Sequence, residues 1–306
     1  MTGGYFVGIA VLLVLVVGPA ALGLAGWFKT RRAPPAPQPG GSVRWRWTLM
    51  SALLYVFAFN LTFFIQELFL VLPKALTPGL RPTLFHNNHR WEGENPLASL
   101  FQGTGALATL LAGGFCAWLL WRGSGKSAAA RLLLFWMAYS GIFMALPQVA
   151  IGALSTQSDV GMAMAYLGTT QAAKLTAALL ALGAIPLFAG WLRQRLLDQV
   201  GGVDRIPGPT GSKLLLFELA ALPAVLALPA IFLFRIPRDW TEVVLVPVVV
   251  TIAGVFWMQA GAWRPGAGSV KGAGGAAAAS VAWPLCAVAA LLLVFQLLLR
   301  PGVRFY

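Results

Sequence analysis

The chain has 306 residues, 58% of them hydrophobic and 10% charged, with a mean hydropathy of +0.77 and a net charge of +13. Soluble domains carry about 25% charged residues, so the composition excludes an ordinary soluble globular protein. The apolar residues come in runs of about 20, the length a helix needs to cross the hydrocarbon core, and not in the short alternating segments of a membrane barrel. The expected class is all-α: a polytopic membrane helix bundle of about eight transmembrane helices, forming a single integral membrane domain over residues 1–306.

The first apolar run covers residues 5–28; no basic residue precedes it, and Lys29, Arg31 and Arg32 follow it. A cleavable leader has the reverse arrangement, so residues 1–28 read as a retained anchor helix with its N-terminus outside. Residues 29–47 read as a basic, Pro-rich cytoplasmic linker, in which Arg44 and Arg46 alternate with Trp45 and Trp47 in an interfacial pattern. A core over residues 48–192 follows, with helices expected at 48–72, 97–121, 132–154 and 162–192. The last of these is too long for a straight perpendicular span and is expected to tilt or to begin at the surface. Residues 73–96 form an extracytoplasmic loop that contains both histidines of the chain. Residues 193–306 hold three more helices, at 214–234, 243–263 and 280–299, the last preceded by the Gly/Ala-rich linker 272–279.

Lys and Arg set the orientation. The loops after the first, third, fifth and seventh helices hold fourteen of them, against seven in the other loops and the tail. The bias puts the first set in the cytoplasm and both termini outside, in a plasma (inner) membrane. Allotted to short loops, the positive charge faces anionic lipid headgroups on the cytoplasmic side, not nucleic acid. Cys116 and Cys286 lie inside helices without a Cys-x-x-Cys motif, which argues against thiol–disulfide chemistry.

Polar chemistry is scarce and concentrated. His86, His89 and Glu92 fall within seven positions of one loop, beside Arg90 and Trp91. Two imidazoles and a carboxylate suit zinc or another divalent metal; the same residues also suit a partner or lipid contact, or a turn. Asn60 and Glu67 are seven apart on one face of the second helix, and an acid there is expected to face protein or a water-filled cavity. Glu67 could be a functional carboxylate or a partner for Lys74 or Lys174. Gln102 and Gln148 lie near the outer ends of the third and fourth helices, and Asp159 at the start of the fifth is either an N-cap or a ligand. These positions, with Gln66, predict an outward-facing polar pocket between helices two to five, roofed by the His loop.

The second helix carries Ile65-Gln66-Glu67-Leu68-Phe69-Leu70-Val71, the third Gln102-Gly103-Thr104-Gly105-Ala106-Leu107-Ala108, and Ser158-Asp159-Val160-Gly161 follows the fourth. On these motifs the stretch 54–192 resembles the site-2-protease-like zinc metallopeptidases. The resemblance implies Glu67 as the catalytic carboxylate and Asp159 as a zinc ligand. Gln66 and Leu70 stand where that family carries its zinc-binding histidines, so a metal site here would need His86 and His89 from the following loop. Three readings remain open. One is a non-catalytic or partner-binding membrane protein related to these peptidases. Another is a metal-dependent hydrolase using Glu67, His86, His89 and Asp159. The third is a small-solute transporter using Glu67 and Lys174.

Overall fold

The structure, a computed structural model, describes residues 2–31, 44–200, 209–262 and 280–306. The Pro-rich part of the first linker and the Gly/Ala-rich linker before the last helix lie outside the described residues. Among the described residues, eight helices are long and apolar enough to span a membrane: α1 (Gly4–Lys29), α2 (Trp45–Ala75), α3 (Leu97–Trp121), α4 (Ala128–Leu154), α6 (Gln171–Asp198), α7 (Lys213–Arg235), α8 (Glu242–Gly261) and α9 (Ala282–Leu299). A short helix, α5 (Asp159–Tyr166), precedes α6. The architecture is the expected multi-pass helix bundle.

The single long fifth helix is instead two. Gly168 takes a left-handed φ of +61°, a conformation that costs glycine nothing and ends a helix. The Thr169 and Gly168 N–H groups close back on the carbonyls of Met164 and Ala165. Thr170 then caps α6, its hydroxyl accepting from the Ala173 N–H at 3.3 Å. Lys174 therefore lies half-exposed in the first turn of α6 rather than several turns inside a helix.

Four stretches of π-helix interrupt the described helices: Leu13–Val17, Phe217–Ala221, Thr241–Leu245 and Val294–Leu299. Each ends two residues before a proline, namely Pro19, Pro223, Pro247 and Pro301. Proline has no N–H to donate and its ring crowds the carbonyl one turn back, and a widened turn accommodates both effects.

At the centre, α4 packs on α2, α3 and α6. Its aromatic face carries Phe135, Trp136, Tyr139 and Phe143, all fully or almost fully buried with Tyr55 and Phe59 of α2. The polar atoms of this layer are paired across helices. Tyr139 donates to the Thr251 carbonyl at 2.6 Å and accepts from the Val255 N–H at 3.0 Å. Trp136 Nε1 donates to Ser51 Oγ, which donates to the Leu219 carbonyl. The outer helix faces expose Leu180, Leu187, Leu233 and Leu297 by 64–77%, as lipid-facing surfaces do.

The His loop is more ordered than a turn. Arg81–Leu84 (β1) and His89–Glu92 (β2) form an antiparallel hairpin, and Val303–Arg304 (β3) of the C-terminal tail pairs with β1, giving the order β2-β1-β3. The C-terminus and the His loop thus share one face of the bundle, as the charge count implies.

The α3–α4 contact depends on two glycines. A Cβ on Gly141 would stand 2.5–2.7 Å from the backbone of Thr109 and Gly113, whereas one on Gly114 would meet nothing within 4 Å. Gly141→Val is expected to cost at least the ~1–3 kcal/mol typical of overpacking, and Gly114→Val far less. Thermal melting of the two variants in detergent checks this contrast.

Candidate functional site

Pro73 and Lys74 end α2 on the hairpin side, and what surrounds Lys74 decides the site. Its side chain has no solvent exposure. Nζ lies 2.8 Å from the Leu70 carbonyl, 3.2 Å from Gln102 Oε1 and 3.4 Å from His89 Nε2, with the Trp91 ring centroid 4.6 Å away. An ammonium has three protons and no acceptor, and these three neighbours each offer a lone pair. The imidazole then turns its Nδ1–H to Glu67 Oε2 at 2.8 Å. Gln102 Oε1 is also 3.2 Å from His89 Nε2, and the His89 ring stacks on Trp91. Glu67 is 5% exposed, so this chain of groups from α2, α3 and β2 is satisfied almost wholly from within.

Beside it lies a cavity of about 540 Å³. Its apolar wall includes Phe63, Met144, Ile151 and Val249, and its polar rim Gln66, Glu67, Gln148, Asp159, Arg235 and Arg238. Gln148 donates to Gln66 Oε1 at 2.9 Å and to the Met144 carbonyl at 3.0 Å. Ser158 is the N-cap of α5, accepting from the Gly161 N–H, which leaves the carboxyl of Asp159 to line the cavity. Burial, and after it the neighbouring Glu67 carboxylate, pushes the Asp159 carboxyl above its usual range against the pull of His89, Lys74 and Arg238. Arg235, 2% exposed, holds its guanidinium 4.1 Å from the Phe63 ring centroid and donates Nε to the Glu242 carbonyl, while its Nη1 finds no partner. Arg238 pairs with Glu242. Burial lowers the Arg238 pKa, opposed by Glu67, Asp239 and Asp159.

The expected pocket is therefore present in part. Glu67, Gln66, Gln148 and Asp159 line it; His89 and Gln102 stand immediately behind Glu67. His86 points elsewhere: its Nε2 donates to the Ile236 carbonyl at 3.3 Å, and Asn87 donates to the Arg235 carbonyl at 2.6 Å, docking the hairpin turn on the loop between α7 and α8. Asn60, seven residues from Glu67, bonds back to the Val56 carbonyl of its own helix. Glu92 is exposed on β2 opposite Arg81. Lys174 forms no ion pair with Glu67 or Asp159, because the break at Gly168 sets it at the start of α6. Arg235, Arg238 and Glu242 are the residues sequence reading missed. The charge count had already put both arginines on the His-loop face, but it treated them as topology markers.

The expected zinc ligands are not brought together. His86 and His89 do not converge, and no group of three His, Cys, Asp or Glu among the described residues is arranged to hold a metal ion. The Lys74 ammonium stands 3.4 Å from His89 Nε2, where a metal cation would have to approach, and Leu70 supplies no ligand atom. In comparisons with known proteins, no family model, curated protein or solved structure matches this chain.

Two outcomes follow from this geometry. Losing a buried hydrogen bond to a charged group costs about 1.5–3 kcal/mol, so Glu67→Ala, which leaves the His89 Nδ1–H unmet, should lower the melting point markedly. Glu92→Ala, on an exposed strand position, should stay within ~0.5 kcal/mol of wild type. The second outcome concerns His86, whose pKa lies below its usual 6.5, first because of burial and then because of Arg300, Arg238 and Arg235, against the Ile236 hydrogen bond. A lowered folded-state value means the unfolded chain takes up the proton first. This contribution is complete above about pH 6.5 and declines as the pH falls below it. Asp159 has the opposite sign, since its raised value favours the folded state at low pH. Comparing wild type with His86→Gln over pH 5–7.5 isolates the histidine: the wild type should lose more stability on acidification.

Proposed function

We propose that the protein is a non-catalytic membrane protein that binds a ligand or a partner segment in the polar pocket beneath the hairpin. We place it in the plasma (inner) membrane, with the hairpin and both termini extracytoplasmic; the two-to-one bias of Lys and Arg between alternate loops supports this orientation. The observation that carries the reading is the commitment of the would-be catalytic groups. Glu67 is spent on His89 Nδ1, and the other ring nitrogen faces Lys74. A general base must reach the proton it abstracts, directly or through one water, and this carboxylate is held by an imidazole instead.

The cavity itself has the composition of a binding site: a mostly apolar wall with a few convergent polar groups. The unpartnered Arg235 Nη1 and the Asp159 carboxyl lie on it. The likeness of residues 54–192 to site-2-protease-like enzymes supports a shared scaffold put to a different use. Below the cavity the Tyr55–Trp136–Tyr139 layer fills the bundle, which favours a closed-ended pocket over a path for solute transport.

Protein extracted in mild detergent without chelators should carry far less than one zinc per chain. Native mass spectrometry should show a bound species that Val249→Trp, which fills the cavity, removes without lowering the melting point. Stoichiometric zinc, together with peptide cleavage abolished by Glu67→Gln, would overturn the proposal.

A further inference from the structure

A second depression, about 680 Å³, lies between the hairpin turn, the loop from α7 to α8 and the end of α9. It borders the intramembrane cavity through Asn88, Arg238 and Glu242 but is otherwise lined by different residues. Its occupant is a question separate from the proposal above.

Three arginines reach it from three elements: Arg90 from β2, Arg238 from the α7–α8 loop and Arg300 from the end of α9. The carboxylates present are Asp239 and Glu242, and Glu242 is paired with Arg238. Arg90 and Arg300 are exposed and take part in none of the ion pairs among the described residues. Arg300 reaches only Gln296 Oε1, at 3.2 Å, and Arg90 lies 5.8 Å from the Phe85 ring centroid. The cleft also holds an acceptor without a donor. His86 is 3% exposed, its Nε2 proton goes to the Ile236 carbonyl, and its buried Nδ1 has no partner. A buried acceptor left unmet is costly, and such groups in folded proteins are normally satisfied.

The height of the cleft narrows the ligand. Arg300 directly follows α9, whose Leu293, Leu297 and Leu298 are 59–68% exposed, and Trp240, next in sequence to the cleft residue Asp239, is 79% exposed. Apolar surface ends and arginine begins at one level, which is where a bilayer places its phosphates. We propose that this cleft binds the headgroup of an anionic, hydroxyl-bearing phospholipid, its phosphate against Arg90 and Arg300 and a headgroup hydroxyl donating to His86 Nδ1. Guanidinium–phosphate hydrogen bonds are charge-assisted and directional. Phosphatidylglycerol has both required parts, and phosphatidylcholine lacks the hydroxyl and the net charge. Phosphate monoanion from solution presents the same chemistry.

The full-length protein in neutral detergent, given equal amounts of phosphatidylglycerol and phosphatidylcholine, tests this by the lipid retained in native mass spectrometry. Phosphatidylglycerol should be enriched in wild type. The enrichment should fall roughly fivefold for each arginine removed in Arg90→Gln and Arg300→Gln. Arg81→Gln and Arg304→Gln, on the same small sheet but outside the cleft, should leave it unchanged. Displacement of the lipid by inorganic phosphate from wild type, but not from Arg90→Gln/Arg300→Gln, would support the phosphate assignment with solution as a second source. Equal retention of the two lipids by wild type, or an equal loss in the Arg81/Arg304 controls, would overturn it. All four arginines are at the surface, so the variants should fold, and the melting point verifies that they do.

Discussion

The hairpin face of the molecule is organised by the need to bury one ammonium group. Lys74 has no exposure to solvent, and a charge removed from water must be met by acceptors or opposite charge. The acceptors come from three places in the chain: the turn of α2 before Lys74, the second turn of α3, and the second strand of the hairpin. Meeting that demand folds residues 81–92 down onto the helix ends. Once His89 is held there, Glu67 has its partner, Trp91 covers the ammonium, and the hairpin turn lies within reach of the α7–α8 loop. The C-terminal strand then adds to β1, so the end of the chain is tied to the same small sheet.

This arrangement bears on the expected metal ligands. A metal site needs several electron-pair donors pointing at one vacancy. Here one imidazole is turned outward to a backbone carbonyl, and the other has a cation at its free nitrogen. The Lys74 ammonium already occupies the approach to that nitrogen. The cavity itself offers an arginine with an unspent nitrogen, a carboxyl, paired amides and an apolar wall.

How much was legible beforehand depended on the range of the interaction. Apolar runs revealed the helices because crossing a bilayer is a requirement of each segment alone, set by its length and hydropathy. Gly168 could have signalled the break before α6, but the surrounding apolar run masked it. The assembly of Glu67, Gln102 and His89 was anticipated only as a shared outer level, since a helix end states depth and not direction. His86 and Asn60 show the limit: equal in polarity to the residues that converge, they bond to a carbonyl of a neighbouring loop and of their own helix. Arg235 and Arg238 were counted as topology charges, and no local pattern ties them to residues more than a hundred positions away.

By itself, then, the sequence determined the membrane class, the helices, the face on which the polar residues gather and the absence of the two helix-borne zinc histidines. These follow from properties that each segment carries alone. Only the tertiary structure decided that Lys74 would stand at His89, that His86 would leave the pocket, and that Arg235 and Arg238 would enter it. Those outcomes turn on which groups can satisfy one another when water is excluded, and that is settled only when distant segments meet.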